Sequence, residues 1–150
     1  MALKDKINDD LKTALLSGDR FKGEVLRGLK SAILDEEVKQ NKREEGLDDV
    51  VIEQLVAREI KKRNDSATQY RAANRPELSE TELKEAEIIS IYLPAQVSEE
   101  DIMKVIEKTI AEMGVSDMSG MGQVIGAVKK ALGNSADGSL VAQLVKNALQ

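Results

Sequence analysis

The stretch SGMGQVIGAVKK, Ser119 to Lys130, decides the fold. Its three glycines ahead of a lysine pair allow two readings: a loop whose bare N–H groups wrap a phosphate, or an amphipathic helix that carries glycines. The spacing is G-x-G-x-x-x-G, which is neither the dinucleotide fingerprint nor a Walker loop ending in G-K-[ST]. Both of those motifs follow a buried strand. Here the preceding residues place Ile102, Ile106, Ile110 and Met113 at helical spacing. Met121, Ile125, Val128 and Leu132 continue at i, i+4, i+7 and i+11, so the stretch reads as a helix in an all-α protein.

Working outward, the same periodicity recurs along the chain. Leu3, Ile7, Leu11 and Leu15 mark a first helix ended by Gly18, and Asp19 is placed to cap a second through Val25, Leu29 and Ile33 toward Lys42, closed by Gly46. Asp48 or Asp49 can cap a third, with Ile52, Leu55, Val56 and Ile60 inward and its pattern running to about Ala73. Pro76 stops that run, and Ser79 with Glu82 makes a capping box for a fourth helix that Pro94 halts. Ser98 opens a fifth, Gly114 ends it, the Met121–Leu132 helix is the sixth, and Asp137-Gly138 introduces a seventh. This pattern predicts a four-helix N-terminal domain over residues 1–93, a hinge at 94–97 and a compact three-helix domain over 98–150.

Composition agrees with helix-on-helix packing. Of 150 residues, 41% are hydrophobic but only 2% aromatic, and there are two prolines. With no cysteine and no histidine, the chain lacks thiolate metal sites, disulfides and the usual base near neutral pH. No cofactor, metal site or catalytic residue is expected. The acidic clusters (Asp35 to Glu37, Glu44-Glu45, Asp48-Asp49, Glu99 to Asp101) lack the ligand alternation of a calcium loop and read as solvated faces. The opening MALKDKINDDLK has no apolar export core and no run approaches a bilayer span, so a cytoplasmic protein is the default and no membrane contact is expected.

A net charge of -5 argues against indiscriminate DNA or RNA binding. Locally the balance differs. From Arg58 to Arg75 six bases (Arg58, Lys61, Lys62, Arg63, Arg71, Arg75) face two acids, a sum of +4, whereas Glu77 to Asp101 holds eight acids against Lys84. Such a segment can grip phosphates without making the whole surface adhesive, or it can pair with neighbouring acids as an ordinary solvated helix.

Three segments, LRGLKSAILDEEVK (Leu26 to Lys39), IKKRNDSATQYRAANRPELSETELKEAEIISIYLPAQVSEEDI (Ile60 to Ile102) and MGQVIGAVKKALGNSADGSLVAQLVKNAL (Met121 to Leu149), together resemble the YqeY-like proteins. That family is related to the C-terminal tail of the B subunit of tRNA-dependent amidotransferases. The resemblance implies an N-terminal helical domain before a three-helix tail, and a tRNA-holding accessory role without catalytic machinery. A carbon–nitrogen ligase label would describe the relative. It also carries the tail's Gly-Gln pair onto Gly122-Gln123 and the following bases onto Lys129 and Lys130, with Gly122 and Gly126 as sites of close helix approach. tRNA is thus the expected partner. The alternative is a protein-docking module, for a synthetase or an amidotransferase, built on Met113, Met118 and Met121.

Overall fold

The computed structural model describes residues 2–150. Among the described residues the protein is all-α, with seven α-helices, two 3-10 turns and no strand. The helices are α1 (Leu3–Ser17), α2 (Arg20–Lys39), α3 (Asp49–Ala72), α4 (Pro76–Ser90), α5 (Glu99–Met113), α6 (Met121–Leu132) and α7 (Gly138–Leu149). They group into two compact units, Met1–Leu93 and Pro94–Gln150.

In the first unit, Ile7 and Leu11 of α1, Leu26, Leu29 and Ile33 of α2, Ile52 and Val56 of α3 and Ile89 of α4 form one buried cluster. Each fully buried aliphatic side chain contributes about 1.5–3 kcal/mol relative to exposure, so this cluster dominates the unit's stability. The α1–α2 hairpin turns at Gly18, whose φ of 78° is the left-handed region that glycine enters freely. Asp19 Oδ1 then accepts from Lys22 N at 3.2 Å, as its sequence position suggested. Gly23 is buried where the helices meet: a Cβ there would lie 3.3 Å from Leu15 Cδ2.

Three local expectations are corrected. Helix α2 ends at Lys39, because Asn41 takes a left-handed φ of 56° and stops it before Lys42. Of the two candidate caps of α3, Asp48 takes the N-cap position without a side-chain bond to the helix, and Asp49 Oδ1 instead accepts Leu3 N at 3.0 Å, tying the start of α1 to the start of α3. Ser79 is not a cap either. Helix α4 begins three residues earlier, with Pro76 at its first position, where the missing N–H costs nothing and φ is already helical.

Two ionisable groups lie inside this unit. Glu37 of α2 is 1% exposed, with Lys4 Nζ 2.6 Å from its Oε1. That ammonium sits off the axis of a directional hydrogen bond, so both carboxylate oxygens lack a well-angled donor. The reading of Asp35 to Glu37 as a solvated face therefore fails at Glu37. Tyr92, just after α4, donates its hydroxyl to Asp10 Oδ2 at 2.6 Å, and Lys6 Nζ stands 5.7 Å from its ring centre.

Burial first, and then the bond to the Asp10 carboxylate, push the Tyr92 phenol well above its ordinary range. The unfolded phenol titrates near pH 10, so above that pH the unfolded chain has released a proton that the native state keeps. Stability present below pH 10 should fall as pH rises, by at most about 1.4 kcal/mol per pH unit from this group. Urea midpoints measured between pH 8 and 11 should show a steeper decline for the parent than for Tyr92→Phe. Equal slopes would mean that the phenol is not held neutral.

In the second unit, Ile102 and Ile106 of α5, Val124 and Val128 of α6 and Val141, Leu144, Val145 and Leu149 of α7 form a separate core. Ser98 and Asp137 accept the amides of Asp101 and Ser139, capping α5 and α7. Of the four residues read as a hinge, two bond to this unit: Val97 N donates to Ser135 O at 2.8 Å and Gln96 Nε2 to Asn134 O at 3.0 Å.

Candidate nucleic-acid interface

The six bases of the Arg58–Arg75 segment fall on α3, which packs along α4. Since α4 carries five glutamates, the two helices bring opposite charges together. Arg63 takes the centre of this arrangement. It is only 17% exposed, with Nη1 3.0 Å from Glu59 Oε2 and Nε 3.5 Å from Glu85 Oε2 across the helix pair. Glu82, on the same side of α4, has its carboxyl raised by burial and by Glu85, against a lowering by Arg63.

Lys61 pairs with Asp65 at 2.9 Å, Lys62 with Glu59 at 3.3 Å and, more loosely, Arg58 with Glu36 at 3.9 Å. Four of the six bases are therefore neutralised within the chain. Exposed pairs of this kind are worth about 0–1 kcal/mol and open readily to a better anion, but Arg63 is locked. Arg63→Gln should cost about 1–2 kcal/mol in urea unfolding, because Glu59 and Glu85 lose a shared cation in a half-buried setting. Lys62→Gln should stay within about 0.5 kcal/mol of the parent.

Arg71 and Arg75 are different. Both are exposed near the α3–α4 turn and form no ion pair among the described residues. Tyr70 and Leu78 are partly exposed beside them in sequence.

In the second unit the glycine-containing stretch forms helix α6 rather than a phosphate loop. Val124 and Val128 are its buried residues, with Met121, Ile125 and Leu132 packed at the margin. Gly122, Gln123 and Gly126 face solvent, and a Cβ at either glycine would meet nothing within 4 Å. The expectation of close helix approach at Gly122 and Gly126 is thus corrected, because both lie opposite the Val124–Val128 stripe. Close approach occurs instead at Gly120, where a Cβ would collide with the Val115 side chain, and at Gly138, where it would lie 3.2 Å from Lys129 Cε. The stem of Lys129 therefore lies across the start of α7.

Lys129 and Lys130 are exposed and, like Lys146 on α7, form no ion pair among the described residues. From Gly120 to Gln150 there are three lysines and a single acid, Asp137, giving +2. Asp137 is engaged as the α7 cap. Acids cluster instead on α5, at Glu99, Glu100 and Asp101. Lys146 escaped the sequence reading because it stands alone; the scarcity of acids around it was the available signal.

The Yqey-like protein family model matches residues 4–149, nearly the full length. The chain belongs to that family. It is also similar to three yeast proteins named "Altered inheritance of mitochondria protein 41, mitochondrial". The Lachancea thermotolerans protein is 30% identical over 115 residues, covering 75% of this chain and 60% of the relative. The Kluyveromyces lactis protein is 30% identical over 104 residues, covering 67% and 55%. The Clavispora lusitaniae protein is 26% identical over 118 residues, covering 77% and 67%. The chain thus spans a little over half the length of the first two.

The relatives' mitochondrial names overturn the cytoplasmic default. That default rested on finding neither an apolar export core nor a bilayer span. A mitochondrial address is amphipathic and basic, so neither test registers it. No helix among the described residues is long and apolar enough to cross a membrane.

Proposed function

We propose that this Yqey-like protein is a tRNA-binding accessory module, gripping the phosphate backbone by shape and charge. The observation that carries the reading is the unpaired lysine set of α6 and α7, in a stretch whose one acid is already engaged. Arg71 and Arg75 supply a second group of unpaired cations on the other unit. Cations without partners are the ones that exchange condensed counterions for RNA phosphates without first breaking an internal bond. The A-form shape of tRNA can be recognised in this way without reading bases. The module carries no catalytic role in this reading; its use is to raise the local concentration of tRNA for an enzyme to which it is bound. Titrating a labelled tRNA by fluorescence anisotropy at several salt concentrations, against variants of the unpaired and paired bases, tests it.

One observation favours a protein-docking role as a second reading. Met113 and Met118 are 42% and 40% exposed beside the Gly114–Asp117 turn, whereas Met121 packs against the core. Flexible thioethers suit adaptable contacts. Binding of a synthetase or amidotransferase that survives high salt and weakens on Met113→Ala and Met118→Ala would favour it.

A further inference from the structure

We infer that the groove between α3 and α4 is a phosphate subsite, with Arg71 and the buried hydroxyl of Ser79 as its donors. Its floor is made where two small residues, Ala67 of α3 and Ser79 of α4, let the helices approach closely; both are buried. Asn64, Thr68 and Arg71 line the α3 side and Leu83 the α4 side.

Three features single it out. Ser79 is 1% exposed and its Oγ has no hydrogen-bond partner, although most buried hydroxyls have one. The helical alternative, back-bonding to the carbonyl four residues earlier, is the one that Thr68 takes with Asn64 O at 3.1 Å and Thr81 takes with Glu77 O at 3.0 Å, but Ser79 does not. Second, Arg71 reaches the same groove with no carboxylate paired to it. Third, no acid lines the groove, in a chain with 27 acids of which five lie on α4 itself. An oxyanion entering from solvent would find a planar guanidinium at the wall and an unused hydroxyl at the floor beside the buried Ala67, with the exposed Leu83 at the rim. A cation would find no ligand set.

The inference rests on the tRNA reading for its natural ligand, an RNA phosphodiester, but the chemistry is that of any phosphate. Nuclear magnetic resonance on the full chain separates the two. Inorganic phosphate should shift the Ala67, Arg71 and Ser79 amides saturably. Arg71→Gln and Ser79→Ala should each weaken that binding about 10-fold or more, as expected for a hydrogen bond to a charged group. Ser79→Ala should at the same time raise the melting temperature, since it removes an unsatisfied buried hydroxyl. A variant that is more stable but binds less well cannot be explained by misfolding.

Parallel titration with tRNA identifies the source. If Ser79→Ala weakens tRNA and phosphate alike, the occupant is a backbone phosphate. If phosphate occupies the groove and tRNA does not bind the chain at all, the subsite stands as one for a free phosphate and the tRNA reading falls. If tRNA binds parent and Ser79→Ala equally and phosphate leaves the groove amides unmoved, the subsite is overturned while the tRNA reading stands.

Discussion

Replacing Lys4 by Met should destabilise the protein by about 3–5 kcal/mol, the largest effect expected of any single surface-reachable change in the chain. The reason is Glu37. Its carboxylate is 1% exposed and has one counter-charge, Lys4 Nζ at 2.6 Å, with no directional hydrogen bond to share the load. A buried ion pair is a weak source of net stability, because desolvating both charges offsets their attraction, but removing one partner leaves the other uncompensated. Lys4 itself is 35% exposed, so water can reach the vacated position, and the lower end of the range is the better expectation.

The double variant Lys4→Met with Glu37→Leu separates the pair's net worth from the cost of orphaning it. It should recover most of the lost stability, and near-neutrality or a slight gain relative to the parent is expected. Urea unfolding of the four members of the cycle measures both quantities. A Lys4→Met cost below about 1 kcal/mol would mean that the pair behaves as an exposed one, with Glu37 hydrated.

Glu37 also shows where sequence reading runs out. Its neighbours Asp35 and Glu36 are acids, and nothing local distinguishes the third of the run. Its counter-charge is Lys4, thirty-three residues away in the chain, which only the fold brings to it. Elements whose determinants are local were legible: the helix starts at Asp19 and Ser98, the left-handed stop at Gly18, and the apolar rows of α3 and α5 all sit within a few residues of what they control. The start of α4 was misread because two local signals competed. A proline at the first helical position prevailed over a Ser79–Glu82 box, and Ser79 was carried into the helix pair.

The candidate site was legible as charge and only partly as pairing. Six bases in eighteen residues are visible in the sequence, but their partners are not all on the same helix. Glu85 meets Arg63 only because α4 folds back along α3, and Glu36 meets Arg58 only because α2 lies alongside. The same folding leaves Arg71 and Arg75 near the turn, without an ion pair among the described residues. Spacing along α3 marks the pairs with Glu59 and Asp65, whereas the contacts of Arg63 with Glu85 and of Arg58 with Glu36 exist only in the fold.

That division sets the expected behaviour toward tRNA. Each neutralised phosphate releases counterions and contributes about -0.7 to -0.9 to the slope of log affinity against log salt. Replacing Arg71 and Arg75 together by Gln should flatten the slope by about 1.5 and lower affinity roughly 10- to 100-fold at low salt, as two charge-assisted contacts are lost. Replacing Lys129, Lys130 and Lys146 together should flatten it by about 2 for the same reason. The Lys61, Lys62 and Arg63 triple should do less to binding, since each base is engaged with an acid, and more to stability through Arg63. With a net charge of -5 the chain repels tRNA at long range, so affinity should be modest in isolation and rise when the module is tethered to a tRNA enzyme. A slope that all three sets leave unchanged would sink the tRNA reading. A slope flattened most by the paired triple would mean that tRNA opens the α3–α4 ion pairs, and that the acids of α4 act as competitors for the site.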